Sequence, residues 1–172
     1  MATITPTDAV KVSTEASEAF VDAYYTCQNS SRQQLASFYV PSTAATAAPG
    51  RALPCINYNG ELVTDAADFQ ERFENQMPWA HYEPQSVNAH VLNPCAGSTS
   101  VASKSAAERN MSICVQVSGY VRLGERKAGP MRGFSESFVL VPNKEETGGR
   151  GTGKTDHGRR WLIQSQNFRF VV

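Results

Sequence analysis

Eight residues late in the chain, Gly148-Gly149-Arg150-Gly151-Thr152-Gly153-Lys154-Thr155, match the phosphate-binding spacing G-x-x-x-x-G-K-[ST]. In that chemistry glycine N–H groups wrap phosphates, the lysine (Lys154) reaches their outer oxygens and the hydroxyl (Thr155) binds magnesium. It also needs a helix directly after the motif and a parallel sheet beneath it. Asp156-His157-Gly158-Arg159-Arg160 is a poor helix start, and Trp161 opens a strand-like run. No upstream apolar run ends in the Asp that would complete a magnesium site. The stretch reads as a glycine-rich loop that fits the pattern by composition, with no nucleotide and no cofactor. The surrounding residues 143–160 carry Lys144, Arg150, Lys154, Arg159 and Arg160 against Glu145, Glu146 and Asp156. A basic loop of this kind could touch RNA phosphates without reading bases; a solvated loop of mixed charge is the plainer alternative. The acid–base candidates are Asp65, Asp68, His81, His90, Tyr120 and Glu136. No two of them have a spacing that demands a shared site, so loop and interface roles are the plainer reading, and neither a catalytic nor a metal site is assigned.

The elements that must position these residues are clearest in the last third. Residues 111–123 alternate: Met111, Ile113, Val115, Val117, Val121 and Leu123 on one side, Ser112, Cys114, Gln116, Ser118, Tyr120 and Arg122 on the other. A period of two predicts a long strand with one buried face. The polar face is short of charge and carries an aromatic, a composition that suits contact with another protein. Residues 131–141 place Glu136 on the side of Phe134, Phe138 and Leu140. Residues 161–172 hold apolar residues on odd numbers first and even numbers later, which predicts a bulge between the two halves. Gly124, Gly129 and Pro130 predict a hairpin connection, so the three runs form an antiparallel meander.

Earlier in the chain, Pro6-Thr7-Asp8 reads as a helix start capped by Thr7 or Asp8. Ala9, Val12, Ala16, Ala19, Phe20, Ala23, Tyr24 and Cys27 recur on one face of a helix of about five turns. A short helix over 32–39 follows and stops at Pro41. Asn59-Gly60 predicts a type I′ hairpin between 56–58 and 61–63. A third helix, capped by Thr64, carries Phe69, Phe73 and Met77 and ends at Pro78. Residues 86–92 read as a strand, and 93–110 and 142–160 as long loops. Helices segregated from strands in this way predict an α+β fold, with three helices of the N-terminal half on a curved antiparallel sheet.

Composition sets the outer bounds. At 172 residues the expectation is a single domain over 1–172 with a short tail at 1–6. Lys+Arg and Asp+Glu balance at 16 each, so the total exerts no pull toward nucleic acid or membrane. No run reaches transmembrane length, and residues 1–12 lack the apolar core of a secretory signal. Cys27, Cys55, Cys95 and Cys114 lie far apart, which argues against zinc and against a disulfide framework.

The order helix, helix, hairpin, helix, long strands resembles the nuclear transport factor 2-like family, and within it the nuclear transport factor 2-related export proteins. The resemblance is carried by Ala19-Phe20-Val21-Asp22-Ala23-Tyr24-Tyr25-Thr26, residues 35–39, Asn59-Gly60, Gly119-Tyr120-Val121, residues 134–140, and Trp161-Leu162-Ile163 leading to Phe168-Arg169-Phe170. It implies a cone-shaped fold without catalytic activity, the small subunit of a heterodimeric mRNA export receptor. Pairing would be sheet to sheet with the large subunit, with Arg169 opposite an acid of the partner. On this reading the partner interface comprises Arg169, Gln116, Ser118, Tyr120, Glu136 and Asn167. It further implies docking to Phe-Gly nucleoporins, RNA or pre-ribosomal particles as cargo of the heterodimer, and shuttling between nucleus, pore and cytoplasm. The long loops resemble the fungal branch. The alternatives within the same fold are an isomerase or dehydratase using a carboxylate or His in its pocket, and a homodimeric carrier for the nuclear transport GTPase.

Overall fold

The structure is a computed structural model that describes residues 4–43, 48, 50–96, 103–144 and 160–171. The chain runs through α1 (Pro6–Ser30), a 3-10 helix (Arg32–Phe38), β1 (Cys55–Tyr58), β2 (Glu61–Val63) and α2 (Ala66–Glu71). A π-helical turn (Arg72–Gln76) extends α2, and β3 (Ala80–Asn93), α3 (Lys104–Glu108), β4 (Ser112–Leu123), β5 (Met131–Pro142) and β6 (Trp161–Val171) complete the order. The strands form one sheet in the order β2-β1-β6-β5-β4-β3. Every pairing is antiparallel except β1 with β6, which makes the sheet mixed.

Helix α1 begins two residues earlier than a Thr7 cap suggests and three earlier than an Asp8 cap. Thr5 is the cap, its hydroxyl accepting from the Asp8 N–H, and Pro6 takes the first helical position, where a missing N–H costs nothing. The helix is 25 residues long, not five turns, because its buried face includes Ser13, Ser17 and Gln28. The serine hydroxyls bond back to the Val10 and Ser13 carbonyls, so they bury without an unpaired group. Two side chains at its C-terminus tie it down. Asn29 pairs with the Tyr82 backbone in both directions, at 2.9 and 2.8 Å. Arg32 donates to the Gln28 and Phe73 carbonyls and lies over the Phe73 ring. The cap of α2 is Asp65, whose carboxylate accepts from the Ala67 and Asp68 N–H groups; the Thr64 expectation is off by one.

Three register shifts shape the sheet, one in the pairing of β5 with β6 and two in that of β3 with β4. In β6 the register passes from Ile163 to Ser165 opposite consecutive residues of β5, which leaves Gln164 over. This is the shift that the change from odd to even apolar positions predicts. In β3 the register shifts between Pro84 and Ser86 and again between Val91 and Asn93. Pro84 hides the first half of this 14-residue strand from a sequence reading that begins it at 86. The strand tolerates proline because it is the sheet edge and bulges there. Opposite the bulge stands Gly119, where a Cβ would lie 2.1 Å from the Glu83 carbonyl oxygen. Gly119→Ala is therefore expected to destabilise the fold by about 1–3 kcal/mol or more, read as a lower denaturation midpoint; an unchanged midpoint would mean that the two strands can separate there freely.

The core lies on the inner face of the sheet. Phe20, Tyr24, Phe38, Phe69, Phe73, Tyr82, Phe134, Phe138 and Phe168 are all buried in it, together with Ile113, Val115, Val117 and Val121. The rings fill the volume between α1, α2 and the sheet, with centroid separations such as 5.1 Å for Tyr24–Phe138 and 4.5 Å for stacked Tyr58–Phe168. Of the two long loops, the first contains α3, capped by Ser103, and among its described residues Ala96 N–H meets the Asn110 carbonyl. Residues 145–159 lie outside the described residues, and with them the G-x-x-x-x-G-K-[ST] motif.

Candidate functional site

Strand alternation sorts the predicted residues onto two faces. Outward from β4 point Cys114, Gln116, Ser118, Tyr120 and Arg122, and the cross-strand register continues these rows through β5 and β6. Tyr120 leads to Gly133 and Val171, Ser118 to Ser135 and Arg169, and Gln116 to Ser137 and Asn167, with Asn57 of β1 beyond. Gln116, Ser118, Tyr120, Asn167 and Arg169 are all exposed and share this face. A sheet face meant for water is normally rich in Lys and Glu. In these three rows on β4, β5 and β6, Arg169 is the single charge, among Ser, Gln, Asn, Gly, Val and Tyr.

Arg169 is presented rather than stored. Phe168 is 0% exposed and stacks on Tyr58 and Phe134, while Phe170 packs edge-on to it, so the residue between them must face out. The Asn59-Gly60 turn lies beside it: Asn59 N–H bonds the Phe168 carbonyl, and a Cβ on Gly60 would sit 3.3 Å from Nη1 of Arg169. Both turn residues have positive φ, 50° and 97°, as a type I′ turn requires. The guanidinium has no ion-pair partner among the described residues.

Glu136 does not belong to this face, and the interface assignment made from sequence is corrected. It points inward with Phe134 and Phe138 and is 1% exposed. Its Oε2 accepts from the Tyr25 hydroxyl at 2.5 Å and its Oε1 from Gln166 Nε2 at 2.5 Å. Gln166 in turn accepts from the Tyr39 hydroxyl, and Tyr24 lies 3.1 Å from Tyr39 and accepts from Gln28. Burial raises the Glu136 carboxyl to about 7, against the pull of the Tyr25 and Gln166 hydrogen bonds. The same burial holds the Tyr25 hydroxyl well above its ordinary range, so it acts as a donor and stays neutral. Tyr25, Tyr39 and Gln166 escaped the sequence reading. Parity held a signal: Gln166 is in phase with Phe168 after the bulge, hence inward.

A buried acid near pH 7 is what pocket chemistry would use, but this one meets rings instead of space. A cleft of about 530 Å³ lies between α1 and β3; Tyr25 and Tyr82 form part of its wall, but its lining does not include Glu136. The remaining acid–base candidates are scattered: Asp65 caps α2, His81 faces Glu83 at 3.8 Å on the exposed β3 surface, and His90 is exposed further along that strand. Of the basic-loop residues, Lys144 and Arg160 are exposed at its two ends, which the Asn143 N–H to Arg160 carbonyl bond brings together. Arg150, Lys154 and Arg159 lie outside the described residues.

Comparison with known structures agrees with this architecture. A chain of the Chaetomium thermophilum Mex67 NTF2-like domain complexed with Mtr2 superposes with a TM-score of 0.71 at 23% identity, over 93% of this chain and 99% of that one. A structure of Mtr2 gives 0.68 at 21% identity, over 93% and 99%. A putative scytalone dehydratase from Novosphingobium aromaticivorans gives 0.59 at 11%, over 96% and 89%. At these identities the likeness is one of fold. No curated protein sequence matches the chain. The family profile described as the nuclear transport factor 2 (NTF2) domain matches residues 16–149, and with the helix-covered, bulged sheet this shows that the chain belongs to the NTF2 domain family.

Proposed function

We propose that this chain is the small, non-catalytic subunit of a heterodimeric mRNA export receptor, and that it pairs through the outer face of β4, β5 and β6 with an NTF2-like domain of the large subunit. The observation that carries the reading is three contiguous rows of that face, from Tyr120, Ser118 and Gln116 across β5 to β6, uncharged except for Arg169, with Arg122 beyond their end. Interface centres are depleted in charge in this way, and a planar guanidinium suits a carboxylate across the contact. The fold likeness to Mtr2 and to the Mex67–Mtr2 complex supports the choice of partner. In the same reading the heterodimer works at nuclear pores among Phe-Gly nucleoporins, carries RNA or pre-ribosomal particles, and shuttles between nucleus and cytoplasm. Among the described residues no helix is long and apolar enough to cross a membrane. The dehydratase-like reading has Glu136 in its favour, but a substrate would have to displace the Tyr25 hydroxyl or the Gln166 amide from its oxygens.

The test is assembly. Mixed with a Mex67 NTF2-like domain, the purified chain is expected to form a one-to-one complex by light scattering, burying on the order of 800 Å² per partner. A stable homodimer that ignores the domain would favour the GTPase-carrier reading. A stable monomer that ignores it would remove the receptor reading.

A further inference from the structure

Formal neutrality hides a division of charge along the chain. Residues 1–86 hold 4 Lys+Arg and 10 Asp+Glu, whereas residues 87–172 hold 12 and 6. The helical layer is thus acidic and the strand-rich half basic. Within the described structure the basic side chains concentrate at the connection of β4 to β5. Arg122, Arg126, Lys127 and Arg132 fall within 11 residues that contain a single acid, Glu125. Arg126, Lys127 and Arg132 are exposed.

This connection has a defined shape. Gly124 N–H bonds the Trp79 carbonyl at 2.8 Å, Leu123 N–H the Pro130 carbonyl at 3.0 Å, and Gly129 N–H the Glu125 carbonyl at 3.1 Å. Arg122 adds a bond to the Gly129 carbonyl. A Cβ on Gly129 would fall 2.0 Å from the Leu123 carbonyl oxygen, so the turn closes only with glycine there. The backbone of the tip is therefore fixed before any ligand arrives, which lowers the ordering cost of binding.

Flat rings adjoin these cations. Trp79 and His81 stack nearly parallel, 6° apart with centroids at 6.2 Å, and the Arg126 guanidinium lies 5.9 Å from the Trp79 ring. Arg132 lies 5.7 Å from the Phe170 ring on the neighbouring strand. Cations along a backbone path beside π faces are what single-stranded nucleic acid takes: the cations meet phosphates and the rings accept bases of any sequence. An acidic peptide would use the cations but leave the Trp79–His81 platform without a role.

We propose that the corner formed by Trp79, His81, Arg122, Arg126 and Lys127 is a contact site for single-stranded RNA. Arg126 and Lys127 meet phosphates, a base stacks on the Trp79–His81 platform, and Arg132 extends the positive field. Its residues are separate in sequence from those of the basic segment 144–160. The choice of RNA rests on the export reading; the cations and rings do not.

The test is fluorescence anisotropy of the full chain with a labelled single-stranded oligouridine across salt concentrations. Arg126→Glu with Lys127→Glu is expected to weaken binding at least tenfold and to flatten the log–log salt slope by about 1.4, at about 0.7 per lost phosphate contact. Trp79→Phe is expected to weaken binding with the slope unchanged, since it trims a stacking surface and no charge. Lys11→Glu, a single charge reversal on exposed α1, is expected to bind as the parent does. The double variant should still pair with the Mex67 domain, so loss of RNA and loss of assembly are read separately. Parent-like RNA binding by the double variant overturns the proposal. So does an oligoglutamate peptide binding where the RNA does not, which would make the corner a protein-docking surface.

Discussion

Replacing Arg169 by alanine is expected to weaken the heterodimer by roughly one and a half to four decades in dissociation constant while leaving the melting temperature of the free chain unchanged. The loss follows from the geometry of the face. Arg169 is the only charge in rows that a partner sheet would cover, so its counter-charge must come from that partner. Removing one member of a buried hydrogen-bonded charge pair leaves the other unpaired and costs about 2–5 kcal/mol, at about 1.4 kcal/mol per decade. The fold is spared because Phe168 and Phe170 keep their packing on Tyr58 and Phe134. Arg169→Lys should recover only part of the affinity, since an ammonium cannot make the bidentate contact. Titration against the large-subunit domain, paired with a thermal melt, decides the matter. Parent-like binding by the alanine variant, or its unfolding, would end the case for Arg169 as the anchor.

The second large effect concerns Glu136 and is one of pH. Its carboxyl has an ordinary value of 4.5 and is raised to about 7 in the fold, first by desolvation. A carboxyl raised on folding binds protons more tightly in the native state. Its stabilising contribution is therefore full below about pH 4.5 and is lost as pH rises through about 7. At about 1.4 kcal/mol per pH unit the whole swing is on the order of 3 kcal/mol. The readable quantity is the difference between the parent and a variant that cannot titrate at this position. Chemical denaturation of the parent and of Glu136→Gln between pH 5 and 8 should show the parent losing ground to the variant as pH rises, because glutamine does not titrate. Tyr25→Phe removes a donor to the carboxylate and should steepen the loss. A difference that stays flat across this range would show that Glu136 does not titrate there. Glu136→Ala should be worse at every pH, because it strands the Tyr25 hydroxyl and a Gln166 N–H in the core at about 1–3 kcal/mol each.

How much of this was legible from the residues depends on the range of the interaction that fixes each feature. The strands β4, β5 and β6, the β6 bulge and the Asn59-Gly60 turn follow from period and turn chemistry. These are local, so the amino-acid order alone determined them. The outward direction of Arg169 follows in the same way, from phenylalanines on either side. The parallel pairing of β1 with β6 does not, since it joins residues about a hundred positions apart. The early half of β3 was hidden because proline is read as a strand breaker, and only its place at the sheet edge makes it acceptable. The α1 face was misread where Ser13, Ser17 and Gln28 are buried: composition treats them as polar, while the fold satisfies most of their hydrogen bonds internally. Glu136 is the sharpest case. Alternation places it with Phe134 and Phe138, whereas the family resemblance puts it in the partner interface. Only the tertiary structure brings Tyr25 from α1 and Gln166 from β6 to its two oxygens, and without those donors a carboxylate has no business inside a ring of aromatics. Local pattern thus determined the sheet and the face it presents. What fills the cone, and whether its one acid faces a substrate or a hydroxyl, was decided by contacts between distant segments.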